Sequence, residues 1–347
     1  MTTKYSECLL AIKYREVDEK GKYRGGPMYY IKNGMHNKPL AALFALLTVG
    51  AGCFGIGTYC QVNSMVEANS IMFGMSPLAS CAIISVLVGM VTLGGLKSIS
   101  KVSTKLIPLM AVFYIVGCLF VIAVNIQGLP AAIVTIVSSA FSFDAGIGGA
   151  TGVGILVAMR FGVARGMFSN EAGLGSAPIA AASAKTEYAA EQGLVNMTGT
   201  FFDTIVICML TGLTIVLTNT WSGDLNGAAI TSEAFRLTLG DSWGIYLLNI
   251  GLLLFAFTTI IGWNYYAESC VVYLFGTKCI LAYRFIYVLI VASAAFMTLD
   301  LVWVLADILN GLMALPNLLA LFILRKDIVE ETVKYFTYLK SLKGKVA

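Results

Sequence analysis

Charge and histidine are what this sequence has least of. Only 12% of its 347 residues are charged, against about 25% in an average soluble domain. His36 is the single histidine. With 58% hydrophobic residues and a mean hydropathy of +0.82, the charge deficit excludes a soluble enzyme, a disordered chain and a nucleic-acid binder driven by a basic face. The eight cysteines, Cys8, Cys53, Cys60, Cys81, Cys118, Cys208, Cys270 and Cys279, form no CxxC pair. That spacing and a lone histidine argue against a zinc site. Most of the thiols sit in apolar runs, where they act as small hydrophobes. HExxH, P-loop and GxGxxG motifs are also missing, so metal hydrolase and nucleotide-driven pump readings have no support. Met1 to Glu16 is no signal peptide, because the apolar run Cys8–Ile12 is too short and charges follow it.

What is there is long apolar sequence. A bilayer-crossing helix needs roughly 20 apolar residues. Charge-free runs and breaker residues give eight spans: 39–66, 68–96, 106–143, 145–184, 193–219, 242–273, 280–298 and 301–324. Asn69, Gly74 and Pro77 mark one turn, and Asn125, Gly128 and Pro130 end another helix before a short amphipathic connector at 130–142. Residues 1–14 read as the end of a ninth helix. The chain divides into that stub, a loop at 15–38, a transmembrane domain at 39–324 and a basic tail at 325–347. The fold class is an all-α polytopic membrane protein, with the lipid bilayer as a partner and no nucleic acid. Of 23 Lys and Arg, eight lie in 1–38, and Lys97, Lys101, Lys105, Lys185, Lys278, Arg284 and six tail residues fall after alternate spans. The opposite loops hold only Arg236. By the positive-inside rule, loop 15–38 and the tail are cytoplasmic. The tail lies on anionic lipid or is a solvated helix.

The fourth span is unusual. Gly146 to Gly175 holds nine glycines, and Arg165, Ser169, Asn170 and Glu171 stand at membrane depth. So many glycines mean close packing, a broken helix, or both. Non-helical backbone at that depth occurs where it is buried in protein or lines a cavity, and transporters use such breaks to bind ions and substrate. The plainer alternative is a tight helix crossing. In the first span Ala51 and Gly55 have small-xxx-small spacing, and Gln61 and Asn63 bring amides that need a partner or a ligand. In the sixth, Thr259 and Trp263 are four apart on one helical face. They offer a polar floor and an apolar wall to a small ligand, and Thr258 offers an oxygen for a cation. Back-bonded threonines and a packed tryptophan are the alternative. Asp203, mid-span in the fifth helix, is a functional candidate by its position. Glu268 and Asp307 lie nearer helix ends and read as solvated. Gly240-Asp241-Ser242-Trp243-Gly244 matches GxSxG but lacks the strand–turn–helix context and a histidine on its side. Asp241 and Ser242 read instead as caps of a helix starting at Trp243. No enzyme is expected.

The motifs now carry a resemblance. GVARGMFSNEAGLGSAPIAAASA (162–184), KYSECLLAIKYRE (4–16), GGPMYYI (25–31), GWNYYAE (262–268) and DLVWVLADILNGLMALPNLLAL (300–321) resemble the alanine/glycine:cation symporter family, in order along nearly the whole chain. The resemblance implies the amino acid–polyamine–cation superfamily fold, an inverted five-plus-five helix repeat. The eight spans would be core helices 3 to 10 and residues 1–14 the end of core helix 2. It implies sodium-coupled symport of alanine, glycine or a similar small neutral amino acid across the plasma membrane, with Na+ as coupling ion and no cofactor. By the same resemblance Asn63, Phe168, Thr259 and Trp263 would bind substrate, with Phe168 in the break of core helix 6. Thr259 would also serve sodium, as would Thr258, which rests on its hydroxyl. Gly166, Asn170, Glu171, Gly173 and Gly175 would hold the break together. One family feature has no counterpart: core helix 1, with its GTGN-like break. The chain is therefore expected to be N-terminally truncated and to transport little as it stands. The alternative reading is a transport-incompetent remnant, or a mis-assigned start of a full-length symporter.

Overall fold

The computed structural model describes residues 1–141, 151–223, 225, 227–241 and 243–343. Among them the chain is helical except for one two-stranded hairpin. Helix α1 (Thr2–Lys13) leads into that hairpin, β1 (Glu16–Val17) antiparallel to β2 (Tyr23–Arg24), with Glu16 opposite Arg24. Its turn is held by Asp18, which accepts from the Lys20 and Lys22 amides and from Arg24 Nε. Burial by itself would raise the Asp18 carboxyl; these hydrogen bonds override it and hold the group below its ordinary value. Helix α2 (Pro27–Gly34) follows.

The helix ends sit at sequence punctuation. Asn37 caps α3 (Lys38–Phe54), its side chain accepting from the Leu40 amide at 3.0 Å. Helix α4 (Tyr59–Phe73) stops at Gly74 in the left-handed region. Helix α5 (Pro77–Leu93) starts on a proline with Ser76 as its cap. Next come α6 (Gly95–Val124), α7 (Leu129–Phe141), α8 (Thr151–Asn170) and the short α9 (Ala177–Ala181). Helix α10 (Ala189–Phe201) continues through a π-helical stretch, Phe202–Cys208, into α11 (Met209–Leu217). Then follow α12 (Ala228–Leu239), α13 (Trp243–Phe275), α14 (Ile280–Ser293), α15 (Leu299–Ile323) and α16 (Arg325–Lys343).

Among the described residues, six helical units are long and apolar enough to cross a membrane: Lys38–Phe73, Gly95–Val124, Ala189–Leu217, Trp243–Phe275, Thr277–Phe296 and Asp300–Ile323. This is a multi-pass membrane protein. The span expected at 68–96 is represented by the shorter apolar helix Pro77–Leu93. Part of the one expected at 145–184 lies outside the described residues, as do Ser242 and the last four residues of the tail. The expected span 39–66 is not one continuous helix. It is interrupted by a turn at 55–58, where the Gly55 and Gly57 amides both reach the Ala51 carbonyl and the Thr58 hydroxyl donates to Gly52 O at 2.6 Å.

The interruption has a tertiary cause. Helix α13 packs on α3, α4 and α6. A Cβ on Gly57 would stand 2.6 Å from Trp263 Cβ, and one on Gly52 would stand 2.9 Å from Ala267 Cβ. The glycines let the backbones approach as side chains would not. Glu268, expected to be solvated, is instead 3% exposed and paired with Arg284 of α14, Nε to Oε2 at 2.7 Å. A buried carboxylate at that depth needs such a partner. Among the described residues the basic tail is a helix seated on the protein. α16 packs on α1 and α10, with Tyr5 and Thr332 hydroxyls 2.7 Å apart and Lys13 Nζ 2.9 Å from Asp327.

Candidate functional site

Helix α8 ends at Asn170, and no regular structure resumes until Ala177. A helix end at membrane depth leaves amides and carbonyls that must be satisfied within the protein. Here side chains do so. Asn170 Oδ1 accepts from the Ala172 amide (2.8 Å), and Lys4 Nζ donates to Asn170 O (2.8 Å). Glu7 Oε1 accepts from the Gly173 amide (2.9 Å), and Asn317 Nδ2 donates to Gly173 O (2.8 Å). Asn317 Nδ2 also reaches Glu7 Oε1 at 2.5 Å, and Tyr30 donates to Asn317 Oδ1. Three helices, α1, α2 and α15, thus converge on one non-helical stretch. Glu171 adopts φ 53°, Gly173 φ 98° and Gly175 φ 79°. A Cβ on Gly175 would also meet Pro27 Cγ at 2.5 Å, so glycine is required there twice over.

The Glu171 carboxylate joins this break to α13. Its Oε2 accepts from the Ser176 hydroxyl at 2.7 Å, within the break, and its Oε1 accepts from the Trp263 indole N–H at 2.9 Å. Trp263 is 1% exposed. Beside it lies a cavity of about 480 Å³ lined by Glu171, Trp263, Thr258, Thr259 and Gly262, and walled on the far side by α6. Ligand pockets usually fall at ~300–1,000 Å³. Both threonine hydroxyls donate to the same carbonyl, Phe255 O, each at 2.9 Å. The threonines are therefore back-bonded and also face the cavity.

Other expected residues lie elsewhere. Gly166 and Phe168 are not in the break: α8 hydrogen bonding runs on until the Glu171 amide meets Met167 O at 3.0 Å. Gly166 sits in the helix interior, with nothing within 4 Å of where its Cβ would be. Phe168 packs on Trp303, ring centroids 5.1 Å apart, and does not line this cavity. Asn63 is half-buried on α4 and also lies off the lining. Asp307 stays exposed over 38% of its side chain, in keeping with the expected solvation, and also bonds Arg165 at 2.6 Å, with the guanidinium 4.4 Å from the Trp303 ring. Asp241 accepts from Arg236 at 2.7 Å.

The residues that hold the break and line the cavity beside it are thus gathered from α1, the α8–α9 break, α13 and α15. The family model of the sodium:alanine symporter family matches residues 1–347. The chain belongs to this family. Among its relatives, an uncharacterized transporter of Haemophilus influenzae is 50% identical over 98% of this chain and 75% of that one. A sodium/alanine symporter of Methanococcus maripaludis is 45% identical over 100% of this chain and 77% of its own. A probable sodium/glutamine symporter of Bacillus subtilis is 38% identical over 96% and 68%. As a sodium:alanine symporter family member the protein is a transporter, not an enzyme. Its break-holding residues Glu7, Tyr30 and Asn317 escaped the sequence reading. The one signal was an acid, Glu7, set directly against the apolar run Cys8–Ile12.

Proposed function

We propose that this protein performs sodium-coupled symport of alanine, glycine or a similar small neutral amino acid across the plasma membrane. The observation that carries the reading is the Glu171–Trp263 hydrogen bond at the wall of a cavity that Thr258 and Thr259 also line. A helix break and a neighbouring helix meet there over a space of ligand size. Trp263 limits the side-chain end, which favours small substrates. Thr259 contacts substrate or sodium, and Thr258 supplies a sodium oxygen, whereas Asn63 and Phe168 lie off this cavity. Gly173, Gly175, Asn170 and Glu171 keep the break open. The names of the Methanococcus and Bacillus relatives, sodium/alanine and sodium/glutamine symporters, support sodium as the driving ion.

On this reading the fold is an inverted five-plus-five repeat. Residues 1–14 end core helix 2, residues 39–324 supply core helices 3 to 10, and the 15–38 loop and 325–347 tail are cytoplasmic, as the placement of Lys and Arg supports. The bundle containing α8 rocks against the scaffold of core helices 3, 4, 8 and 9 to alternate access. Equilibrium binding tests the coupling. Sodium increases alanine affinity, and by linkage alanine increases sodium affinity by the same factor. Equal alanine affinity in sodium and in a non-binding organic cation overturns the proposal.

A further inference from the structure

We propose that Asp203 and Ser169 form a cation site that takes sodium, beside the break and apart from the α13 threonines. The inference rests on the sodium coupling proposed above and places one of its ions. Asp203 lies in the π-helical stretch Phe202–Cys208, inside the membrane-length unit Ala189–Leu217. Widened π turns are rare and gather at functional sites. They admit a side chain or ion where an α-helix would close.

Asp203 and Glu67 both lie inside membrane-length units with no basic side chain reaching them among the described residues, and of the two Asp203 lines the cavity described below. Glu268 is paired with Arg284 and Asp307 with Arg165. Glu171 holds an indole N–H and a hydroxyl, and Glu7 holds the Gly173 amide and Asn317. Asp203 accepts one hydrogen bond, from Ser169 Oγ at 2.7 Å, and no basic side chain among the described residues reaches it. An uncompensated carboxylate at membrane depth is costly. A bound cation supplies the missing charge.

The surroundings fit a hard monovalent ion. Asp203 and Ser169 form the polar end of a cavity of about 270 Å³ whose remaining wall, apart from Tyr114, Thr231 and Cys208, is apolar. Oxygen donors suit sodium, and a single carboxylate matches a single positive charge, whereas calcium sites collect more oxygens than two side chains offer. Binding needs one proton to move aside. The Ser169 hydroxyl, which donates to Asp203, turns toward Cys208 Sγ, 3.5 Å away, and presents its lone pair to the ion. Ser169 stands two residues before Glu171, and the neighbouring Asn170 Nδ2 donates to Thr204 Oγ1 at 3.5 Å. An ion here fixes the end of α8, and with it the carboxylate that holds Trp263.

The test is the sodium dependence of thermal unfolding of the purified 347-residue chain, with sodium exchanged for N-methyl-D-glucamine at constant ionic strength. The wild-type midpoint rises with sodium, because a ligand of the folded state stabilises it. Asp203→Asn, near-isosteric, loses the rise or needs at least about tenfold more sodium, the equivalent of ~1.4 kcal/mol. Its sodium-free midpoint matches or exceeds wild type, since the uncompensated charge is gone. Ser169→Ala shifts the titration in the same direction by less, and Asp203→Glu keeps a response with altered sodium-over-lithium preference. A wild-type response that survives Asp203→Asn unchanged overturns this site and leaves sodium coupling standing, the more so if Thr259→Ala abolishes it. No sodium response in wild type overturns both.

Discussion

Trp263 does two jobs with one side chain. Its ring body packs against Gly57 and fills the core beside α3, while its N–H holds Glu171. The two can be separated. Trp263→Phe keeps most of the packing but strands Glu171 Oε1, removing a hydrogen bond to a charged group worth ~1.5–3 kcal/mol. Alanine affinity falls in that variant while selectivity is kept. Trp263→Ala also empties the cavity wall, so leucine and valine become competitors for alanine binding. An unchanged competition profile would make the tryptophan a packing residue only. Part of this was legible in the sequence. Thr259 and Trp263 share a face because of their four-residue spacing, and helical periodicity alone puts them together. That Trp263 reaches Glu171, 92 positions away, was not, and neither was the Glu7–Asn317 pair, 310 positions apart. Contacts of that range depend on how helices stack, and no local pattern encodes them.

At the scale of elements, prolines, glycines and caps placed most helix ends. Gly74 and Pro77 bound a turn, and Asn125 ends α6, as their chemistry dictates. The interruption at 55–58 was read instead as small-residue packing within a continuous span. Both features come from the same glycines, and α13 packs closely against the break. Gly57→Ala tests this. Its Cβ would meet Trp263 Cβ at 2.6 Å and Gly52 O at 2.8 Å. Overpacking of that kind costs ~1–3 kcal/mol, visible as a lower unfolding midpoint in detergent. A midpoint equal to wild type would show that the turn yields freely. Gly166 has open space around it. That contrast explains why counting glycines located the region of the break but not its limits.

For the whole molecule, compensation of buried charge ties distant helices together. Glu268 and Arg284 link α13 to α14, and Arg284 also donates to Leu93 O at the end of α5. Removing one partner of a buried pair strands the other, at about 3–5 kcal/mol. Glu268→Ala therefore lowers the unfolding midpoint strongly, and adding Arg284→Met recovers much of the loss. Equal midpoints for the single and double variants would deny the coupling. The membrane class and the family were readable from composition and motifs, because lipid imposes long apolar runs. Which acids are paired was not: Glu268 looks solvated until its arginine is seen, and Asp307, though still partly exposed, also has an arginine partner. The same holds for α16, whose seat on α1 joins the two ends of the sequence.

The shared acceptor of Thr258 and Thr259 has a directional consequence. Each hydroxyl has one proton; that of Thr259 goes to Phe255 O, and that of Thr258 to Phe255 O or to Met110 Sδ. What they show the cavity is lone pairs alone. Such a floor attracts a metal ion or an ammonium group and repels a carboxylate. With the Glu171 carboxyl group also on the wall, the function proposed above predicts that an amino acid enters amine-first toward α13, its carboxylate received by backbone amides or other donors away from these threonines. On that proposal, polarity orients the zwitterion before side-chain size is discriminated.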